Sequence, residues 1–227
     1  MSQQQQQVEG IVLKAIPYKE NDRILTIFTS ESGAMSLYVR GASKNKLSLM
    51  NLTTPFCRAE FIFRKGQSDL YRFIDGTILD LHLPLRKSYQ HMACGGKMLG
   101  SILRSQMPGK SAHHLYRLLL SFLKKLPDFS HPETAWASFQ LKLLKHEGLL
   151  SITEKCPLCK NAPASQILGG ESRCKTCAPA QSFSFLEEEW ALLHVLFTAR
   201  SFNFLIDLQL KSSLMQKIDA LYESFFS

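Results

Sequence analysis

Hydrophobic and polar positions along this chain of 227 residues follow two periods, one up to about residue 80 and another beyond it. In the first part, residues 8–16, 23–29, 34–40, 57–64 and 70–79 are runs of strand length, rich in β-branched and aromatic side chains. Turn-forming clusters divide them at Glu20-Asn21-Asp22, Ser32-Gly33 and Gly66-Gln67-Ser68-Asp69. Within 57–64, Cys57, Ala59, Phe61 and Phe63 alternate with Arg58, Glu60, Ile62 and Arg64, so this run buries one face and wets the other. Five short antiparallel strands in about 75 residues are too few for an immunoglobulin sandwich but suffice for a small closed barrel of the OB type.

Beyond Leu83-Pro84 the period lengthens to about 3.6, which places a domain boundary there: a barrel over 1–81 and a helical domain over 82–227. Tyr89, Met92, Leu99, Ile102 and Leu103 form one helical stripe, with Gly96 and Gly100 four apart to admit a neighbouring backbone, and Met107-Pro108-Gly109 ends that helix. A second helix turns Leu115, Leu118, Leu119, Phe122, Leu123 and Leu126 inward and Arg117, Lys124 and Lys125 outward, until Pro127 stops it. Ser130-His131-Pro132-Glu133 reads as a capping box opening a helix with Trp136, Phe139, Leu143 and Leu144 inside, closed by Gly148. Ser184-Phe185-Leu186-Glu187 reads as another, with Glu187, Glu188 and Glu189 placed where the helix dipole favours negative charge. Trp190, Leu193, Leu196 and Phe197 form its stripe, and a last helix presents Leu214, Ile218, Leu221 and Tyr222.

Between those helices, at 154–180, lies the stretch that states its chemistry most directly. Cys156-Pro157-Leu158-Cys159 and Cys174-Lys175-Thr176-Cys177 are two hooks separated by 14 residues. Each can place two sulfurs on one ion, and the intervening chain, with Gly169-Gly170 for a tight reversal, folds the second hook back to complete a tetrahedron at about 2.3 Å per metal–sulfur bond. A closed set of four soft thiolates suits structural Zn2+ and leaves no position for a substrate; iron is the rival metal, and disulfides or free thiols the rival chemistry.

Composition shifts the picture from fold to partner. The net charge of +8 divides as +2 over residues 1–80, +7 over 81–151 and −1 over 152–227. Clustered positive charge points to a polyanion, nucleic acid before membrane, because each phosphate neutralised releases a counterion; a solvated cationic surface is the plainer reading. No apolar run approaches the ~18–20 residues of a membrane span, and the start at Gln3 to Gln7 lacks the features of a signal peptide, so a cytoplasmic protein is expected. That compartment keeps thiols reduced and leaves Cys57 and Cys94 as small buried residues. The basic loop Arg40-Gly41-Ala42-Ser43-Lys44-Asn45-Lys46 is the first binding candidate. Arg40, Lys44 and Lys46 are placed to follow phosphates while Tyr38, Tyr71 or Phe73 offers a stacking face; otherwise these are a hairpin tip and core aromatics.

Enzymatic readings fare worse. His131-Pro132-Glu133 ahead of Cys156 and Cys159 imitates the H-x-E…P-C-x-x-C arrangement of zinc deaminases, but Lys155 stands in place of Pro, and Cys174 and Cys177 are left without purpose. No nucleophile elbow, P-loop or dinucleotide fingerprint occurs, and His113-His114 has no partner at ligand spacing.

These parts in this order resemble the RecO family of bacterial recombination mediators. The resemblance is carried by Glu9-Gly10-Ile11-Val12-Leu13, Tyr18-Lys19-Glu20-Asn21-Asp22-Arg23-Ile24, Phe28-Thr29, Arg40-Gly41-Ala42 with Lys44 and Lys46, and Pro55-Phe56. It continues through Phe139-Gln140-Leu141-Lys142-Leu143-Leu144, Gly148-Leu149 and the four cysteines. It implies a protein without catalytic chemistry that binds single- and double-stranded DNA and anneals complementary strands. Such a protein acts with RecR in the RecF pathway to replace single-strand-binding protein by RecA, in the bacterial cytoplasm at the nucleoid. It also implies that the barrel loop holds DNA and that the helical domain takes the acidic, apolar C-terminal tail of single-strand-binding protein, for which Arg117, Lys124, Lys125, Lys142 and Lys145 are candidates. Ser43 stands where the family commonly has Arg or Lys, and some members lack the cysteines, which assigns the metal to the fold. An RNA-binding or transcription-associated adaptor built on the same two modules is the alternative function.

Overall fold

The computed structural model of the chain describes residues 5–42, 47–66 and 70–226. It divides into two compact units, Met1–Pro127 and Asp128–Ser227.

The first unit begins with the expected closed barrel, built from β1 (Gln5–Tyr18), β2 (Asp22–Thr29), β3 (Gly33–Val39), β4 (Arg58–Arg64) and β5 (Leu70–Asp80). The strands follow in the order β1-β2-β3-β5-β4, and β4 returns to β1; all pairs are antiparallel except β3 with β5. Strand β1 serves both neighbours, and a register shift between Val12 and Lys14 bends it as a bulge does. The alternation read in 57–64 holds: Cys57, Ala59, Phe61 and Phe63 are buried with Val12, Leu25, Ile27 and Leu37 in one core. A short helix, α1 (Leu47–Leu52), adds Leu52 to that core; at six residues it is too brief to show a helical period.

After a 3-10 turn at Leu83–Lys87 come α2 (Tyr89–Ser105) and α3 (His113–Lys125), both in the barrel's unit. The stripe expected on α2 is corrected. Tyr89 is 82% exposed and Met92 41%, while Cys94, Met98, Leu99, Ser101 and Ile102 face inward. The helix closes on the barrel's unit at Gly95, where a Cβ would stand 3.0 Å from the Phe56 ring, whereas Gly96 and Gly100, expected to admit a backbone, face open space. On α3 the expected face is buried at Leu115, Leu119, Phe122 and Leu123, followed by Leu126.

Tyr116, also on α3, ties the helix to the barrel, its hydroxyl donating to Glu9 at 2.8 Å while Arg58 binds the same carboxylate at 2.8 and 3.1 Å. The bond from Arg58 holds the Glu9 carboxyl below its ordinary value against the opposing effect of burial, and burial pushes the Tyr116 phenol up.

In the second unit α4 (Pro132–His146) is the central element, packed against α5 (Glu187–Thr198) and α6 (Ser212–Glu223), with a three-stranded sheet of β6 (Gln166–Leu168), β7 (Glu171–Arg173) and β8 (Phe183–Ser184) inserted before α5. Several polar groups of α4 find partners on its neighbours. Ser138 donates to the Leu196 carbonyl at 2.8 Å, Trp136 and Gln140 to Asp219 at 3.1 and 2.7 Å, and Thr134 to the Leu208 carbonyl at 2.6 Å.

Both expected capping boxes are corrected. Ser130 lies before the cap, which is His131, and its hydroxyl binds Asp207 at 2.6 Å. On α5 the cap is Leu186, whose N–H donates to Glu189 at 2.9 Å; leucine has no oxygen to return the bond, so only half a box forms. Burial raises the Glu189 carboxyl, but Lys217 at 2.5 Å and the Leu186 N–H outweigh it and leave the group below its ordinary value.

The Glu9 triad gives a test of this packing. Glu9→Gln leaves Arg58 and Tyr116 a weaker acceptor and should lower stability by about 1 kcal/mol at neutral pH, allowing for partial exposure. Because folding depresses the Glu9 carboxyl, its contribution is present above the ordinary value of 4.5 and lost as pH falls through the folded value. Denaturant titrations of wild type and variant should therefore differ at pH 7 and converge in acid; a gap that persists or widens in acid contradicts the assignment.

Candidate metal knuckle and nucleic-acid face

The hooks meet as their spacing predicts. The four sulfurs of Cys156, Cys159, Cys174 and Cys177 all lie within 4.8 Å of one another, and Cys159 and Cys174 are 3.8 Å apart. A tetrahedron with bonds of about 2.3 Å has edges of about 3.8 Å, so the set fits one ion, and all four are free thiols. The two hooks share a backbone plan: the Lys160 N–H donates to the Cys156 carbonyl at 2.8 Å, and the Ala178 N–H to the Cys174 carbonyl at 3.0 Å. Lys160 takes a left-handed φ of 61° to do so.

Backbone N–H groups, that of Cys159 foremost, point at the Cys156 sulfur and lower its thiol to about 6; those of Ala162 and Asn161 lower Cys159. Cys177 is pushed up to about 12 by its hydrogen bond with Cys174 and by burial. A divalent cation held by Cys156, Cys159, Cys174 and Cys177 would supply the charge that lets all four ionise.

The second hook is returned by the β6–β7 hairpin. Gly169 and Gly170, with φ of 55° and 82°, make its two-residue turn between the paired Leu168 and Glu171. A Cβ on Gly170 would stand 1.9 Å from the Leu149 carbonyl oxygen, and the Gly170 carbonyl accepts from the Ser151 N–H at 2.8 Å. The hairpin tip thus seats on the chain leaving α4. Among the described residues the four cysteines are the one cluster of ligand type; His131 and Glu133 lie outside it, which removes the deaminase arrangement.

On the barrel, Tyr38 alternates with the buried Leu37 and Val39 and so stands on the outer face, next to exposed Arg40. The register aligns Tyr38 with Arg72 and Arg64 on one side and with Ile24 and Ile16 on the other, a row across all five strands. Arg64 and Arg72 were missed in the sequence; alternation turns Arg64 outward, but only the strand order brings the two together. The Tyr38 hydroxyl donates to Asp22, which also accepts the Gly41 N–H at 2.8 Å. These bonds, with Lys19 and Arg40 nearby, hold the Asp22 carboxyl below its ordinary value. Tyr18 meets Tyr38 edge-on at 5.9 Å.

Tyr71 is placed differently from the expectation of a free stacking face. It occupies the inward row with Leu25 and Leu37 and packs edge-on against Phe63 at 5.1 Å; Phe73 likewise meets Phe61. Lys44 and Lys46 lie outside the described residues.

Of the candidate partner-binding cations, Arg117, Lys124 and Lys125 are exposed on α3, and Lys142 and Lys145 belong to α4 in the other unit. The structure gathers the latter two at the C-terminal end of α5. Lys142 donates to the Ala199 carbonyl, with burial and then Lys145 lowering its ammonium pKa, and the Lys145 ammonium lies 4.6 Å from the Phe197 ring centre.

If the knuckle holds a metal for the fold, Cys174→Ser should reduce bound metal from one ion per chain and lower the melting temperature by at least about 5 °C. Elemental analysis beside thermal melting checks this, and unchanged melting contradicts it.

Among the described residues no helix is long and apolar enough to cross a membrane. Two family models cover nearly the whole chain: "Recombination protein O N terminal" matches residues 1–82 and "Recombination protein O C terminal" residues 86–226. A DNA repair protein RecO of Chlamydia pneumoniae is 30% identical over 220 residues, spanning 96% of this chain and 87% of that protein. The protein of the same name from Chlamydia trachomatis serovar D is 30% identical over 222 residues (96% and 91%), and that of Moorella thermoacetica 29% over 234 residues (96% and 84%). Among solved structures, an asparaginyl-tRNA synthetase of Entamoeba histolytica overlays with a TM-score of 0.30 and 8% identity over 74% of this chain and 38% of that one, below the level at which folds coincide. With both halves matched, the barrel and helices in the expected order and relatives aligned almost end to end, this chain belongs to the RecO family of DNA repair proteins.

Proposed function

We propose that this protein is a non-catalytic mediator of recombination in the bacterial cytoplasm, associated with the nucleoid. It binds single- and double-stranded DNA, anneals complementary strands, and with RecR helps RecA displace single-strand-binding protein, as in the RecF pathway. The observation that carries this reading is the outer row of the barrel, where Arg64 and Arg72 align with Tyr38 beside Arg40, in a chain of this family. Arginines follow a phosphate backbone while an aromatic ring and the Ile24 and Ile16 side chains offer apolar surface to unpaired bases, a combination indifferent to sequence. Lys44 and Lys46 extend the same charge along the chain. Tyr71, on the inner row, supports the barrel behind this face.

Zn2+ is the proposed ion, held by Cys156, Cys159, Cys174 and Cys177; a closed four-sulfur set supplies structure and no reactive position. Lys145, exposed at the end of α4 with Lys142 beside it, offers positive charge to the acidic, apolar tail of single-strand-binding protein, and Arg117, Lys124 and Lys125 are a second cationic set for partners.

Annealing of complementary strands precoated with single-strand-binding protein should proceed without nucleotide or added metal. Binding of bare single strands should weaken steeply with salt, and Arg40→Ala should lower the slope of log affinity against log salt by about 1. Salt-insensitive binding, or clear preference for RNA over DNA of matched sequence, contradicts the proposal.

A further inference from the structure

We infer that Asp22 and Arg23, adjacent at the start of β2, are positioning residues for the nucleic-acid face, holding the two ends of the connection between β3 and β4. Asp22 holds the outgoing end: one carboxylate oxygen accepts the Tyr38 hydroxyl and the other the Gly41 N–H at 2.8 Å. Gly41 has a left-handed φ of 68°, and the next residue, Ala42, is fully buried in the barrel core, so the carboxylate fixes the chain where it turns. Arg23 holds the returning end, donating to the Thr53 hydroxyl at 2.9 Å; Thr53 is fully buried and itself donates to the Met50 carbonyl at 3.1 Å. Between these anchors the sequence carries Lys44 and Lys46.

The charge of Asp22 makes the case sharper. It sits near Lys19 and Arg40, where a carboxylate repels phosphate and reduces the local positive potential. As a bare charge it opposes nucleic-acid binding. As a positioning group it holds Tyr38 and the Arg40–Gly41 turn in place before a strand arrives, so that binding loses less conformational entropy. The two roles predict opposite signs for its removal.

This inference rests on the nucleic-acid reading above, and a pair of variants separates it from that reading. Asp22→Asn and Asp22→Ala lose the same charge, but Asn retains an oxygen for the Gly41 N–H and an amide for the Tyr38 oxygen, while Ala retains neither. With oligo-dT as probe, Asp22→Asn should bind as tightly as wild type or more so, and Asp22→Ala about 5–10-fold more weakly than Asp22→Asn with an unchanged salt slope. Hydrogen exchange at the Gly41 amide should accelerate in Asp22→Ala only. Thr53→Val, which changes no charge and breaks the anchor of Arg23, should weaken binding about 3-fold or more. Equal affinities for the two Asp22 variants overturn the role of Asp22, and unchanged binding by Thr53→Val overturns that of Arg23. Either result leaves the nucleic-acid reading standing if wild type binds oligo-dT with steep salt dependence; a wild type that does not bind overturns both.

Discussion

A sheet of five strands closes into a barrel only if its two edge strands pair with each other, and the first unit depends on β1 doing so with β4. Its 14 residues pair with β4 from Gln5 to Ile11 and with β2 from Gly10 to Tyr18. Where the pairings overlap stands Gly10, whose absent side chain leaves room beside the Phe28 carbonyl and Thr29; a Cβ there would lie 3.1 and 3.2 Å from them. Closure leaves the barrel no long open edge and sets its register, so residues far apart in sequence, Arg64, Arg72, Tyr38, Ile24 and Ile16, fall into line on the outside. The cationic face is a consequence of how the barrel shuts.

The second unit solves a different problem. Between α4 and α5 runs a long connection whose sheet has strands of three, three and two residues, far too little to hold its own shape. The four sulfurs lie close enough together to share one ion, which would compensate for the small core, and the hairpin turn at Gly169-Gly170 both returns the second hook and seats against Leu149. The knuckle thereby delivers the chain to the capped start of α5, where the Glu189–Lys217 pair joins that helix to α6.

Local features were legible in the sequence, and features made by tertiary contact were not. The strand runs and the cysteine hooks are each encoded within a few neighbouring residues, so both are visible before any fold is known. The inward face of α2 is rotated from the stripe that its large apolar residues suggest, because Cys94 and Gly95 are buried in their place and Gly95 closes on Phe56. Ser130 has the composition of a cap but finds Asp207, and a box at Ser184 moves two residues on because Glu189 reaches the Leu186 N–H. Tyr71 and Tyr38 look alike in sequence; their opposite faces follow from register across the parallel β3–β5 pair. In the sequence Asp22 reads as a turn residue, because its partners Tyr38 and Gly41 meet it only once β2 and β3 pair.

Taken together, the barrel presents ordered positive charge with aromatic and aliphatic surface, while the second unit gathers four cysteine sulfurs at one point of its inserted sheet. The most direct test of the claim that the barrel's outer row holds the nucleic acid is photocrosslinking of a halogenated single strand to the intact protein, with mass spectrometry of the joined peptides. The account predicts crosslinks in peptides of β3 and β5 around Tyr38, Arg40 and Arg72; crosslinks confined to residues 128–227 would contradict it.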